Sequence, residues 1–335
     1  MATINDVARM AGVSSTTVSH VVNSTRKVNE ETAERVHRAI KALNFVPSSL
    51  ARGLRKKTTR TIGVVSDFAT NPFFGEVVGG IEEVCCEQDF GFFMSFTKLR
   101  YDFELGMIED LQRRGIEGLI LQACSPDSQL EDTLARLEIP AVFFQRCAPG
   151  WRADSICTDD ADGARQVMDH LASLGHERIA LISGYVWPSH PAGRRESVYR
   201  RCLSDLGIGV DETLVGNGYY SYEGGYQAAT EMLRLAKRPT AFFCIADQIA
   251  LGCVAAVRDA GLTVPDDISV VGYDNLQFLQ YLHPALTSVD HQAAEQGRLM
   301  ARQLLARIEN PALPFRTIPV QPRLVVRSST APRRR

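Results

Sequence analysis

From residue 61 to residue 326, short apolar runs alternate with amphipathic segments of helical period, and the series restarts once midway. The first series predicts strands at 62–65, 91–96, 118–121, 141–144 and 155–158 and helices at 74–88, 103–113 and 130–137. The second predicts strands at 179–182, 214–218, 241–245, 268–271, 287–289 and within 317–326, and helices at 163–175, 194–206, 226–235, 249–260 and 292–308. Strands that alternate with helices form βαβ units, in which helices cover both faces of a parallel sheet. The sequence therefore predicts an α/β body of two doubly wound parallel-sheet subdomains, with the end of the chain returning to complete both.

The first 60 residues have a different pattern, with helical periodicity throughout. Apolar residues recur at helical spacing from Ile4 to Ala11, and Gly12 follows as a residue that can take a positive φ at the end of a helix. A second helix is predicted over 15–23, and two helices joined by so short a turn form a helix-turn-helix. A third helix, capped by Asn29, completes an all-α head.

The exposed face of the second predicted helix carries small hydroxyl side chains and, one turn on, the imidazole of His20. Such groups can hydrogen-bond to base edges in a DNA major groove. A basic segment over 47–60 then predicts a fourth short helix, in which Leu54 projects between arginines as a wedge for the minor groove. The residues predicted to contact DNA are Thr3, Ser15, Thr16, Thr17, His20, Asn23, Arg26, Ser48, Arg52, Leu54 and Arg55.

The charge of the chain is divided unevenly between these two parts. Residues 1–60 hold eleven Lys and Arg against four Asp and Glu, whereas the remainder holds 26 against 35. A basic head on an acidic body directs the head, and not the body, to nucleic-acid phosphates. The three arginines at 333–335 are interpreted as a solvated tail rather than a second DNA site.

The eight cysteines are scattered and show neither CxxC pairs nor zinc-ligand spacing. Several lie in apolar strand-like runs, so we expect small buried side chains in the reduced state and not a disulfide framework. The N-terminus does not resemble a signal peptide, and no apolar run reaches transmembrane length. The sequence therefore predicts a cytoplasmic protein without a membrane segment.

The N-terminal pattern resembles the lactose-repressor/galactose-repressor (LacI) family of bacterial transcription regulators, most closely its purine- and ribose-repressor-like branch. The resemblance extends over nearly the whole chain and is carried at the N-terminus by Thr3-Ile4, Asp6-Val7-Ala8, Ala11-Gly12-Val13-Ser14, Thr17-Val18-Ser19, Pro47-Ser48 and Ala51-Arg52-Gly53-Leu54. It implies that the second helix is the recognition helix and that the fourth is a hinge helix whose Leu54 intercalates at the centre of a palindrome. It also implies a periplasmic-binding-protein-like body.

The resemblance, taken with the strand–helix pattern, divides the chain into four parts. A helix-turn-helix DNA-binding domain is expected over 1–46, and a hinge helix and linker over 47–60. An N-terminal effector-binding subdomain is expected over 61–160 plus 291–319, and a C-terminal one over 161–290 plus 320–330. The resemblance implies that the chain crosses between the two subdomains near Asp160, Asp290 and Val320.

Ligands of open α/β sheets bind beyond the carboxyl ends of the strands, and polar and aromatic residues follow most of the predicted strands. The residues predicted to bind an effector are Asp67, Phe73, Phe74, Arg146, Asp159, Trp187, His190, Arg194, Tyr220, Asp247 and Asp274. Those that match effector-facing positions of the family are Phe73, Arg146, Arg194 and Asp274. Carboxylates and guanidiniums that form paired hydrogen bonds with vicinal hydroxyls, beside flat aromatic faces, suit a sugar or another small polar ring.

Several of these residues have a structural alternative. Asp247 can instead cap the helix that follows it, and either Asp159 or Asp160 can cap the next helix along the chain. Phe74 can belong to the core. Gln145 departs from the resemblance, because an Asp or Asn is common at this position in the family.

The sequence lacks the motifs of the common enzyme classes: it has no GxSxG, HExxH, P-loop or GxGxxG pattern, and its seven histidines are dispersed. We therefore predict no catalytic activity, no cofactor and no metal. The predicted function is that of a homodimeric, sequence-specific transcriptional repressor that binds a palindromic operator. A small-molecule effector, preferably a sugar or sugar derivative, controls it from the cleft between two lobes. Two alternatives remain open: a purine- or nucleoside-responsive regulator of the corepressor type, and a cytoplasmic sugar-binding protein or enzyme with an accessory DNA-binding head.

Overall fold

The computed structural model describes residues 2–23, 26–45, 58–66, 71–97, 100–122, 127–145, 153–184 and 191–334. The chain forms two compact units, Met1–Arg60 and Thr61–Arg335. We call these units the head and the body.

The head, in the residues described, consists of the three helices α1 Ile4–Ala11, α2 Ser15–Asn23 and α3 Glu30–Ala42. Its core is formed by apolar side chains from all three helices, and Val7, Val18 and Val36 are fully buried. Since each of these valines comes from a different helix, burial of one apolar face per helix holds the domain together.

Side-chain caps define where the helices of the head begin. Thr3 and Asp6 form a capping box at α1, in which the Thr3 hydroxyl accepts from the N–H of Asp6 and the Asp6 carboxylate accepts from the N–H of Thr3. Gly12 ends this helix with a φ of 66°. Asn29 caps α3 by accepting from the N–H of Glu31. The predicted helix-turn-helix and third helix are therefore confirmed.

The body contains the longer series of strands and helices. Its first part comprises β1 Thr61–Ser66, α4 Pro72–Glu87, β2 Gly91–Phe96, α5 Tyr101–Arg113, β3 Leu119–Leu121, α6 Asp127–Leu137, β4 Ala141–Phe144 and β5 Asp154–Thr158. Its second part comprises α7 Asp160–Ser173, β6 Ile179–Ser183, α8 Pro191–Asp205, β7 Val215–Asn217, α9 Tyr222–Leu233, β8 Ala241–Cys244, α10 Asp247–Asp259, β9 Ser269–Tyr273 and β10 Thr287–Asp290. The chain ends with α11 Ala293–Glu309, β11 Thr317–Val320 and β12 Arg323–Val325, and short 3-10 helices lie at Glu212–Leu214 and Gln277–Tyr281.

The strands form two six-stranded sheets, ordered β11-β5-β4-β3-β1-β2 and β12-β10-β9-β8-β6-β7. Among the paired strands described, all run parallel except β10 and β12. Strands β3, β6 and β8 are buried along their whole length, as expected for parallel sheets covered on both faces. The predicted pair of doubly wound α/β subdomains is thus confirmed. We call the first sheet with its helices the N-terminal lobe and the second the C-terminal lobe.

The chain passes between the two lobes three times. It enters the C-terminal lobe after β5, returns to the N-terminal lobe after β10, and leaves again after β11 to form β12. The crossing segments bond to one another, because the N–H of Asp159 donates to the Val320 carbonyl at 3.2 Å and the Gln292 side-chain amide donates to the Gln321 carbonyl at 2.9 Å. The lobes are therefore joined by three segments that are bonded together.

Each lobe contains a pair of helices that cross at glycine residues. In the N-terminal lobe α4 crosses α11 at Gly80 and Gly297, and in the C-terminal lobe α9 crosses α10 at Gly225 and Gly252. A Cβ atom added at any of the four would lie 2.3 Å or less from a backbone oxygen of the partner helix. The helix backbones therefore approach more closely than residues with side chains allow.

The C-terminal tail contacts the C-terminal lobe, although residues 332–334 are exposed to solvent as expected. Arg333 pairs with Glu177 at 2.9 Å, and its N–H donates to the Leu174 carbonyl. Arg334 pairs with Asp266 at 2.7 Å. Sequence reasoning missed these contacts because their acidic partners lie far away along the chain.

The described cysteines depart from expectation at one position. The free thiols among them are Cys85, Cys86, Cys202, Cys244 and Cys253. Cys157, by contrast, is disulfide-bonded. The expectation of reduced cysteines is therefore wrong for Cys157, because sequence spacing does not reveal which Cβ atoms the fold brings close together.

Within the described parts of the chain, no helix is both long and apolar enough to cross a membrane. In the same residues, no group of three or more His, Cys, Asp and Glu side chains is placed to hold a metal ion.

Candidate DNA-binding face and effector crevice

The predicted DNA-contacting residues of the recognition helix lie at the start of α2. Thr16 is exposed, while Ser15, Thr17 and His20 are half-buried. Ser14 accepts a hydrogen bond from the N–H of Thr17 at 3.1 Å and so caps the helix. The cap fixes this end of α2, and Thr16 is presented to solvent.

Of the remaining predicted DNA contacts, the structure describes the side chains of Thr3 and Arg26. Thr3 is exposed, but its hydroxyl donates to Asp6 at 2.7 Å and belongs to the cap of α1. Arg26 is exposed. The other predicted contacts lie outside the described residues or side chains: Asn23, Ser48, Arg52, Leu54 and Arg55. Their assignment to DNA stays a prediction.

Two arginines at the start of α8 share one buried carboxylate in the body. Arg194 donates to one oxygen of Asp160 from Nε at 3.1 Å and from Nη2 at 2.5 Å, and Arg195 donates to the other oxygen at 2.9 Å. Arg195 also donates to the Ile245 carbonyl at 2.7 Å, and its guanidinium lies 3.5 Å from the centroid of the Tyr273 ring. Burial disfavours the carboxylate, but the two guanidiniums outweigh burial and lower the pKa of Asp160.

Asp247 and Asp274 form a second buried polar group, at the carboxyl ends of β8 and β9. One oxygen of Asp274 accepts from the N–H of Asp247 at 3.5 Å. The Asp247 carboxyl accepts from the N–H of Leu276 at 2.9 Å and from the Ser288 hydroxyl at 2.6 Å. Burial raises the pKa of both carboxyls; Asp274 raises that of Asp247 further, and Arg195 partly offsets the rise at Asp274. The pair therefore retains protons more strongly than ordinary carboxyls.

Phe73 lies at the first turn of α4, where Asn71 caps the helix by accepting from the N–H of Phe73 at 3.0 Å. Its ring stacks on His291, with centroids 4.3 Å apart and an angle of 6° between the planes. One face of Phe73 is therefore covered by a protein ring instead of being open to a ligand.

Unfavourable backbone conformations occur where strands end at this crevice. Gln145 after β4, Tyr220 after β7 and Asp274 after β9 have φ values of 60°, 51° and 131°. Such values cost a residue with a Cβ atom on the order of 1–3 kcal/mol each. They persist where the surroundings hold the chain firmly, which is typical of binding sites.

Three predicted effector residues have structural roles. Asp159 caps α7 by accepting from the N–H of Asp162 at 3.0 Å, and Phe74 is buried in the core. Asp247 opens α10 but does not cap it, because its carboxyl bonds to the loop after β9 and to β10. The predicted effector residues outside the described part of the chain are Asp67, Arg146, Trp187 and His190.

Two residues of this region were missed by sequence reasoning as site residues: Arg195 and His291. Arg195 had a detectable signal, since it falls on the buried face of α8 with Ala192 and Val198. A buried arginine requires an anionic or carbonyl partner. His291 had no comparable signal, because its partners lie on both lobes.

Comparison with known proteins supports the same division into head and body. Residues 3–48 match bacterial regulatory proteins of the lacI family, and residues 168–330 match the periplasmic binding protein-like domain. Over 330 residues, 98% of both chains, the protein is 36% identical to the HTH-type transcriptional repressor PurR of Vibrio atlanticus (strain LGP32). It is 34% identical to the ribose operon repressor of Haemophilus influenzae (strain ATCC 51907 / DSM 11121 / KW20 / Rd), over 329 residues and 98% of both chains.

The fold is also similar to a solved structure of the lac repressor dimer bound to operator and the anti-inducer ONPF. The TM-score is 0.86 at 29% identity, covering 98% of this chain and 99% of that chain. Both the head and the body thus fall within one continuous match. The protein belongs to the lacI family of bacterial regulatory proteins and is a DNA-binding transcriptional regulator.

Proposed function

We propose that this protein is a dimeric transcriptional repressor whose head binds a palindromic operator and whose body binds a small-molecule effector between the lobes. The observation that carries the proposal is the set of buried polar side chains at the carboxyl ends of the strands, centred on Asp160, Arg195 and Asp274. Ligands of doubly wound sheets bind at this end of the strands. A regulator that acts on chromosomal DNA works in the cytoplasm, which is the location we propose.

A sugar or sugar derivative is the effector class that this chemistry favours. Arg194, which is partly exposed, and the carboxyl of Asp274 can form paired hydrogen bonds with neighbouring hydroxyls. The 34% identity to the ribose operon repressor supports the same class. A nucleobase or nucleoside is the second candidate, because planar rings with several donors and acceptors also suit such a site.

DNA binding is assigned to the head, with α2 as the recognition helix in the major groove. Phosphate contacts from the basic first 60 residues would supply most of the affinity and a steep dependence on salt. We propose that Leu54 in the hinge segment enters the minor groove where two copies of the chain meet. Effector binding would then favour one lobe arrangement and so change how the two hinge segments meet.

Exposed apolar side chains of the C-terminal lobe support the proposal of a homodimer. Phe278, Tyr281 and Leu282, within or next to one short 3-10 helix, are at least 37% exposed. Three large apolar side chains so close together are typical of a protein–protein contact rather than of scattered surface residues.

The effector assignment is tested by thermal unfolding of the full-length protein with a panel of sugars, sugar phosphates, sugar acids, nucleobases and nucleosides. A ligand at a hundredfold excess over its dissociation constant should stabilise the protein by about 2.7 kcal/mol. The Asp274→Asn variant, which preserves side-chain shape, should lose that response. A response that survives in this variant would place the ligand elsewhere, and no response to any compound would contradict the effector class.

The DNA assignment is tested by selecting bound duplexes from a random pool with the full-length protein. Inverted repeats are expected, because two-fold symmetric dimers read two-fold symmetric sites. Enrichment of single asymmetric half-sites would contradict the dimeric mode of binding.

A further inference from the structure

His291 lies where the chain passes from the C-terminal to the N-terminal lobe, between β10 and α11, and it is buried. One face of its imidazole stacks on Phe73 of the N-terminal lobe. Tyr273 of the C-terminal lobe meets the ring edge-on, with centroids 5.3 Å apart and an angle of 67°. His291 is therefore in contact with aromatic side chains of both lobes.

The hydrogen bonds around the imidazole determine which nitrogen carries its hydrogen. Nδ1 lies 3.4 Å from the Thr158 hydroxyl and 3.5 Å from Nε2 of Gln296. The Gln296 amide nitrogen can only donate. The Thr158 hydroxyl accepts from Nε2 of Gln145 at 2.7 Å, and its own hydrogen can point to Nδ1 or to Oε1 of Gln296, which lies 3.3 Å away. Because the Gln296 amide nitrogen that faces Nδ1 can only donate, we assign Nδ1 as the acceptor.

A neutral imidazole has one N–H, so the hydrogen of His291 is carried by Nε2. Burial, reinforced by the nearby Arg195 charge, lowers the pKa of His291 to about 3, which keeps the ring neutral in ordinary buffers. Nε2 lies 3.2 Å from Oδ1 of Asp274, to which it donates. The other oxygen of Asp274 accepts from the N–H of Asp247.

These bonds form one directed series, which we call the interlobe chain: Gln145 to Thr158, Thr158 to His291, and His291 to Asp274. Gln145 and Thr158 stand at the carboxyl ends of β4 and β5 in the N-terminal lobe, whereas Asp274 follows β9 in the C-terminal lobe. Oε1 of Gln296 lies beside this series, since it accepts from Gln145 at 2.8 Å and lies 3.3 Å from the Thr158 hydroxyl. The interlobe chain therefore ties the orientation of Asp274 to the ends of two strands in the other lobe.

We infer that His291 is a positioning residue that latches the two lobes together and holds the Asp274 carboxyl toward the crevice. This goes beyond the proposed repressor function, because it assigns the coupling between the lobes to one side chain. A ligand that takes up Oδ1 of Asp274 would compete with the His291 bond. Loss of the His291–Asp274 hydrogen bond would then alter the hydrogen bonds of Thr158 and Gln145 in the N-terminal lobe.

The inference is tested with His291→Phe in the full-length protein, because phenylalanine keeps a ring against Phe73 but cannot hydrogen-bond. The matched control is His176→Phe. His176 is also buried, but its partners Thr240 and Ser269 lie with it in the C-terminal lobe.

The measurement is amide hydrogen exchange at Gln277, followed in parallel with the radius of gyration from small-angle X-ray scattering. The N–H of Gln277 donates to Glu76 of the opposite lobe at 3.3 Å, so its exchange reports separation of the lobes. In His291→Phe this amide should exchange on the order of tenfold faster than in the wild type, as expected for loss of a buried hydrogen bond. In His176→Phe it should exchange as in the wild type.

The His291→Gln variant provides a rescue, since its amide can both accept from Thr158 and donate to Asp274, and it should exchange more slowly than His291→Phe. Unchanged exchange in His291→Phe, or equal acceleration in His291→Phe and His176→Phe, would overturn the inference. Should His291→Phe fail to fold, Thr158→Val removes the preceding donor with little change of shape. It should accelerate Gln277 exchange as well, and wild-type exchange in that variant would overturn the inference equally.

Discussion

Gly80 of α4 and Gly297 of α11 lie at one helix crossing, and each is held against the backbone of the opposite helix. A Cβ atom on Gly80 would lie 1.9 Å from the Ala294 carbonyl oxygen, and one on Gly297 would lie 2.0 Å from the Val77 carbonyl oxygen. These distances are too short for any side chain. The first turn of α4, which carries Phe73, is therefore set by a helix that begins more than two hundred residues later.

Gly80→Ala should destabilise the body, because the two helices must separate to admit the methyl group. We expect a loss of about 1–3 kcal/mol, as for other overpacked interiors, measured by urea unfolding. The neighbouring Gly79 is exposed and has open space around it, so Gly79→Ala is the control. That change should raise stability by roughly 0.5–1 kcal/mol through helix propensity alone. Equal effects of the two substitutions would show that the close crossing is not a constraint.

Asp160→Asn should destabilise the protein strongly, because it leaves the buried Arg195 guanidinium without its counter-charge. Removing one partner of a buried ion pair costs about 3–5 kcal/mol. The adjacent Asp159→Asn is the control: Asn caps helices as well as Asp does, so the change should stay within about 0.5 kcal/mol. The free energies of unfolding of Asp160→Asn and Asp159→Asn, measured with denaturant, test this difference. Similar losses for the two would mean that the ion pair contributes little.

Stability should fall as the pH rises from 7 to 8. Burial raises the pKa of Asp274 to about 7 and the pKa of Asp247 to about 8, from an ordinary value of 3.8. In this interval the folded protein holds protons that the unfolded chain has released, so unfolding releases protons and stability decreases with pH. The slope is at most about 1.4 kcal/mol per pH unit for each carboxyl.

The lower limit of this interval is set by His170, His176 and His291, because burial lowers the pKa of all three from 6.5, that of His291 to about 3. Near and below pH 6.5 the unfolded chain binds protons that these folded histidines do not, so they contribute a slope of opposite sign. Urea unfolding at several pH values above 7 therefore reports mainly on the carboxyls. Asp274→Asn should flatten the slope, and a wild-type protein equally stable across the interval would contradict the assignment.

Leu54→Ala should weaken binding to the selected operator far more than binding to random DNA. A leucine that unstacks a base step acts only where the hinge segments meet on a specific site, whereas phosphate contacts act on any sequence. Fluorescence anisotropy with both duplexes at one salt concentration measures the two losses. Leu50→Ala, in the same segment, is the comparison and should affect both duplexes alike. Equal losses on both duplexes for Leu54→Ala would reject the wedge.

Much of the architecture could be predicted from the sequence because it depends on local periodicity. The run 62–65 predicted β1, found at Thr61–Ser66, and the restart of the strand–helix series predicted a second sheet. The start of α9 was placed four residues too late, because Ser221 caps the helix before its apolar face begins. The capping residue, and not the hydrophobic periodicity, therefore determines where α9 begins.

The candidate site was less accessible to sequence reasoning, because its contacts join distant parts of the chain. The buried ion pairs of Asp160 were not predicted, since its arginine partners lie 34 and 35 residues away. The role of Gln145 was also unexpected: its amide bonds to Gln296, which is 151 residues away. Pairings of this kind follow from the way the lobes fold together and leave no periodic signal.

The order of the strands along the chain determines which parts of the protein can fold first during synthesis. The head has its whole core within residues 4–45, which are synthesised before the body. The sheet of the N-terminal lobe, however, waits for β11 at Thr317–Val320, and that of the C-terminal lobe waits for β12 at Arg323–Val325. A chain cut short before β11 would therefore carry a folded head joined to a body in which neither sheet is complete. Residues 317–325 decide whether both lobes of a new chain can finish folding.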